Sequence, residues 1–161
     1  MPDHMLALWR SGRCPFLVPA SFWESPDGLR IRLDAEGLVQ VASYAAVCPD
    51  GLEEGFCLLL TSLASAARAF ASLQQWLADP AYISLDPSLL FFDRDKGSSL
   101  LTFSDRPDSR PFLARFSDLC RGLGPSGALI AERLEEAGRS VRMEEQGTAR
   151  FLEKWLLQIL A

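Results

Sequence analysis

The side chains able to do covalent chemistry are few in this sequence, and their spacing does not assemble them. His4 is the only histidine. Nucleophilic catalysis of the Ser–His–Asp or Cys–His kind needs a base beside the nucleophile, and this imidazole stands at the chain start. The four cysteines, Cys14, Cys48, Cys57 and Cys120, form no C-x-x-C pair. A structural zinc site needs about four closely grouped ligands, so these thiols are expected to be reduced and partly buried as small hydrophobes. Gly-x-x-x-x-Gly-Lys does not occur, and the Gly-x-Gly-x-x-Gly spacing of Gly122-Leu123-Gly124-Pro125-Ser126-Gly127 does not follow an expected strand, so no phosphate loop is expected. Gly122-Leu123-Gly124 falls between two expected helices. Asp86, Asp93, Asp95 and Asp105 could form a carboxylate pair for acid–base work. They also fall where turns are expected, and there aspartate is favoured for hydrogen-bonding its own backbone. The expectation is no enzyme, no metal and no cofactor.

The elements that would position these groups follow from composition and periodicity. The chain has 161 residues, 48% of them hydrophobic, which fits a single domain with a real core. The net charge of −5 and the scatter of the arginines argue against nucleic acid, whose binders show a basic face. Met1 to Met5 lacks the basic start of a signal peptide. The most apolar run, Gly55 to Leu63, is too short to span a bilayer. A soluble, cytoplasmic chain is expected, or the cytosolic part of a longer membrane-associated protein.

Residues 12–50 are expected to be rich in β-structure. Pro15 to Pro19 reads as a strand, Ser25-Pro26-Asp27-Gly28 as a turn and Leu29 to Leu33 as an alternating strand. Leu38 to Val41 begins either a strand or a short helix. Residues 51–161 form the helical part. Phe56, Leu59, Leu60, Leu63, Ala66, Ala67, Phe70, Leu73, Trp76 and Leu77 recur at three- and four-residue steps, which predicts one long helix over 51–78. Asp79-Pro80 ends it. A β-hairpin is expected near 82–104, turning at Asp93 to Gly97. Helices follow over 112–123, 126–138 and 147–161.

The order of helix, short strand, proline, apolar run, charged turn and second strand resembles the middle of a protein kinase. With Pro87 at the catalytic-loop proline, the catalytic aspartate position is Ser84 and the metal-binding asparagine position is Leu89. Asp105 is followed by Arg106-Pro107 rather than Phe-Gly. The first lysine is Lys96, past the loop. The resemblance therefore lacks the base, the metal pair and the phosphate lysine that phosphoryl transfer requires.

Several segments in order also resemble a bacterial domain of unknown function found N-terminal to forkhead-associated (FHA) domains. They are Pro15 to Pro19, Asp27-Gly28 to Leu33, Asp34 to Leu38, Gly51 to Ala78, Ile83 to Asp93 and Ser99 to Phe103. The pattern is similar as well to the pseudokinase-like cytosolic domain of the EssB/YukC component of type VII secretion systems. These resemblances imply an α/β (α+β) fold with a small N-terminal β-sheet packed on a helical lobe, a reduced pseudokinase-like architecture.

The function expected is that of a non-catalytic interaction or scaffold domain in bacterial signalling or secretion. Its partner would be another protein or another domain of its own chain. The alternatives are a small acidic chaperone or adaptor working as a homodimer, and an enzyme of another class. Phe151, Trp155 and Leu156 on the last helix are the candidate contact residues. They either complete the core or leave Trp155 or Leu156 exposed as an anchor.

Overall fold

The computed structural model describes residues 1–47, 53–139, 150 and 152–156. The fold is α+β. It opens with a helix the sequence reading did not expect, α1 (Asp3–Ser11). Asp3 lies in its first turn, where the helix dipole favours an anion. Gly12 closes it in the left-handed conformation. Met5 and Trp9, four residues apart, are buried, and the Trp9 indole N–H donates to the Val18 carbonyl at 2.7 Å.

Pro15 to Pro19 is not a strand. It makes one isolated parallel bridge, Leu17 to Leu101, because its two prolines lack the N–H groups a ladder needs. The strand lies just after it. β1 (Ala20–Ser25) pairs antiparallel with β2 (Gly28–Leu33), and Gly28 (φ 117°) supplies the backbone angle their turn requires. These two strands form a ribbon of their own. A second sheet has the order β3-β4-β5, with β3 (Val39–Gln40), β4 (Phe91–Asp93) and β5 (Ser98–Leu100). The expected single N-terminal sheet is thus two sheets, and the β4–β5 hairpin belongs to the second. The bridge between Ile83 and Phe103 extends that hairpin. Leu38 to Val41 holds both readings of its sequence, since β3 runs directly into α2 (Val41–Val47).

α3 (Glu53–Gln75) is the long apolar helix. Leu59, Leu60, Leu63, Ala66, Ala67, Phe70 and Leu73 are all buried. By length and composition Gly55–Gln75 could cross a membrane, which corrects the expectation that its apolar run is too short. Most of it is buried within the fold, against α2, β5 and their neighbours, so it serves as the core helix. The expected end at Ala78 is also corrected. The helix stops at Gln75, and Leu77 takes a left-handed φ of 61°. The Ala78 N–H then bonds the Leu73 carbonyl at 3.2 Å and the Leu77 N–H bonds that of Gln74 at 3.1 Å, a Schellman closure with leucine where glycine is usual. Leu77, expected in the core, is therefore 80% exposed. Trp76 is exposed as well, and Phe56 is half-buried.

Small polar side chains seat the second sheet on α3. The buried Ser99 hydroxyl donates to the Ser62 carbonyl at 2.6 Å, and the Ser99 N–H donates to Ser65 Oγ at 2.7 Å. α4 (Phe112–Arg121) lays Phe112 against Phe70, with ring centroids 4.5 Å apart. α5 (Gly124–Gly138) returns along α4. The two approach so closely at Gly127 that an added Cβ would lie 1.9 Å from the Cys120 carbonyl oxygen. Gly127→Ala should therefore cost about 2 kcal/mol as an overpacking change. It should appear as a lower urea midpoint with an unchanged slope; an unchanged midpoint would mean the two helices are not so close.

Candidate functional site

The sequence-derived contact residues have different fates. Residues 152–156 are helical, and Leu152 and Leu156, four apart, both face the core and are buried. Leu156 is thereby corrected as a contact residue, since the inner face of an amphipathic helix is taken by packing. Phe151 lies outside the described residues. Trp155 is half-buried. The Arg68 Nε donates to the Glu153 carboxylate at 2.7 Å and ties this helix to α3.

Trp155 borders an almost wholly apolar groove of about 320 Å³, which Phe56 of α3 and Leu129, Ile130 and Arg133 of α5 complete. Leu129 is 51% exposed there. Its helix buries Ile130 and Leu134, so Leu129 is an extra apolar residue beside a satisfied core face. That is the signal by which the sequence could have given it away. Arg133 makes no ion pair among the described residues. An apolar side chain carrying a carboxylate neighbour would fill this groove and pair with that guanidinium.

The loop around Ser84, Asp86 and Pro87 is occupied by structural work. The Ser84 N–H bonds the Thr102 carbonyl at 2.8 Å. Asp86 Oδ1 accepts from the Ser88 N–H and hydroxyl at 2.8 and 2.7 Å, capping the short turn Pro87–Leu89. Asp93 Oδ1 accepts from the Asp95 and Lys96 N–H groups at 3.0 and 3.1 Å. Both carboxylates thus hold turns, as their setting predicts. A cleft of about 330 Å³ does open beside Ser84 and Asp86, with Arg106, Asp108, Arg110 and Arg115 also on its wall. Most of its charges are spent on one another. Arg110 binds both oxygens of Asp108 and reaches Asp118 at 2.6 Å.

The hydrogen bond from Arg110, more than any other contact, holds the Asp108 carboxyl down at about 2 from an ordinary 3.8. A depressed carboxyl stabilises the fold above its unfolded pKa and ceases to as pH falls through the folded one. Asp108→Asn should therefore lower the melting temperature at pH 7. The gap to the parent should close as the pH falls from about 4 toward about 2. Thermal melts across that range check this; a gap that stays constant would remove the Asp108–Arg110 contact from the account.

A third cavity, of about 450 Å³, lies beside α1 and the β4–β5 turn; Trp9, Cys14, Asp34, Glu36, Asp93 and Lys96 are among its lining residues. Cys14 and Cys120 are buried free thiols and Cys57 is an exposed one. Burial raises the Cys14 pKa and pushes that of Cys120 up to about 12, which suits packing rather than nucleophilic use.

No protein-family model matches the chain, and no curated protein matches its sequence. Among solved structures, the cytoplasmic fragment of Staphylococcus aureus EssB is similar, with a TM-score of 0.53 and 18% identity over 98% of this chain and 91% of that one. At that identity the likeness is one of fold.

Proposed function

We propose that this chain is a non-catalytic interaction domain of bacterial secretion or signalling, held in the cytoplasm. Its partner, another protein or another domain of the same product, seats an apolar side chain in the groove beside Trp155. The groove carries this reading, because it joins exposed Leu129, half-buried Trp155 and Phe56 and an Arg133 without an ion pair among the described residues in one place. Buried aromatics beside arginine are the usual composition of binding hot spots. The fold likeness to the EssB cytoplasmic fragment and the sequence resemblance to type VII secretion components support the setting. The residues at kinase positions, Ser84 and Leu89, support a pseudokinase-like chain without phosphotransfer.

The test compares the wild-type chain with Trp155→Ala and Leu129→Glu, by affinity capture from the native cell and by sedimentation velocity. Both variants should stay folded and lose the captured partner. If a wild-type dimer instead dissociates in the variants, the occupant is a second copy, as the adaptor reading has it. If neither partner nor association changes, the groove has no binding role. In the same preparation, ATP with Mg²⁺ or Mn²⁺ should leave the melting temperature unchanged. A ligand that binds only the native state must raise it, so saturable stabilisation by several degrees would overturn the non-catalytic reading.

A further inference from the structure

The β1–β2 ribbon is built like a receptor for a third strand. Its two faces differ by the two-residue period of a strand. On one face Phe22 meets Trp9 edge-on at 5.4 Å, and Ala20, Ile31 and Leu33 pack on the core beside it. On the other face lie Trp23 and, directly across from it, Arg30, with Arg32 across from Ser21. Trp23 is 46% exposed. Among the described residues Arg30 reaches the exposed Asp27, at 3.6 Å, and Ser25. Arg32 is exposed and makes no ion pair among the described residues. Among the described residues no further strand pairs with either edge of the ribbon. Two strands alone are marginal in water, and an open edge is a template for another chain.

We propose that the open edge of β2 receives an extended acidic segment of a partner protein as a third strand. Edge charges normally keep stray strands away; here they select one. Arg30 and Arg32 point from the same face two positions apart. A strand laid along β2 with aspartate or glutamate at alternate positions sets its carboxylates beside both guanidiniums, at cross-strand distance. Its backbone N–H and C=O groups bond the β2 edge, the mode of β-strand addition. A peptide is favoured over other anions because only a peptide uses the open backbone edge. This surface lies on a different element from the Trp155 groove and stands without it.

The experiment selects phage-displayed random ten-residue peptides on the full chain. An enriched synthetic peptide is then titrated against the wild type, Arg30→Glu/Arg32→Glu, Trp23→Ala and Trp155→Ala. The expected peptides alternate acidic residues with β-formers. Their affinity falls at least about tenfold in the charge-reversed variant and returns when lysines replace the acids. It is unchanged in Trp155→Ala and changes little in Trp23→Ala, since Trp23 stands on β1, the strand away from that edge. Circular dichroism should show every variant folded, since all but the half-buried Trp155 are exposed; if the double variant unfolds, Arg32→Glu alone carries the comparison. The proposal is overturned if no alternating acidic pattern emerges or if charge reversal leaves binding intact. It is equally overturned if phosphatidylglycerol vesicles, rather than peptides, bind in an Arg30- and Arg32-dependent way.

Discussion

A chain with aspartate in place of Leu63 should not hold its native state at 25 °C. Leu63 lies in the middle of α3 with no exposed surface, among Leu59, Leu60, Ala66, Ala67 and Phe70, which are buried as well. A carboxylate there either remains charged without a partner or takes up a proton, and both routes cost several kcal/mol. The lost leucine packing adds about 2–5 kcal/mol. Domains of this size are stable by only about 5–15 kcal/mol, so the sum approaches or exceeds the whole. Leu63→Ala separates the terms, because it keeps the cavity cost and omits the charge. Thermal melts followed by circular dichroism should show a lowered cooperative transition for alanine and none for aspartate. An aspartate variant melting within a degree or two of the parent would remove α3 from the centre of the fold.

The second large effect is expected at Arg115, whose side chain is only 4% exposed. Its guanidinium donates from Nη1 to the Pro80 carbonyl at 2.8 Å and from Nη2 to that of Ile83 at 2.5 Å. It lies over the Phe70 ring at 5.6 Å, with Asp108 at 3.6 Å. One side chain of α4 therefore fastens the stretch that links the end of α3 to the second sheet. Arg115→Met keeps much of the volume but leaves two carbonyls and the Asp108 carboxylate short of a donor. The expected loss is about 3–5 kcal/mol, as for breaking a buried charged network from one side. Arg115→Lys should recover little, because an ammonium cannot span both carbonyls as the planar fork does. Urea unfolding measures both. A methionine variant within about 0.5 kcal/mol of the parent would show that the bonds are not holding the link.

What was legible in the sequence depended on how far apart the partners stand. α3 was legible because its apolar period runs over many turns, and the β4–β5 hairpin because its strands flank a charged turn ending in Gly97. α1 was not: it is short and opens after Pro2, and Met5 and Trp9 become a buried pair only once Val18 and Phe103 reach them. The limits of Pro15–Pro19 and of α3 were misread for a local reason. Proline silences backbone donors in the first, and in the second Leu77 keeps the apolar period while its left-handed backbone ends the helix. At the candidate site, the amphipathic pattern of the last helix gathered Trp155 and Leu156 together. Spacing alone could not tell which faces inward, since that is set by the core into which Leu152 and Leu156 pack. Phe56 and Leu129 come together with Trp155 only through the packing of three helices.

The bridge between Leu17 and Leu101 also bears on how this chain is made. A ribosome adds about 5–20 residues each second, so the N-terminal segment emerges seconds before the residues that cover it. Through that interval Trp9 has Val18 and Phe22 beside it but lacks Phe103, and Leu17 lacks Leu101. Non-local pairing of this kind is slow in any case, because the loop must close before its contacts reward it. The first helix is thus made well before its cover is complete, and until Phe103 emerges one side of Trp9 stays open. A holdase acting on this protein during synthesis would find its handle there.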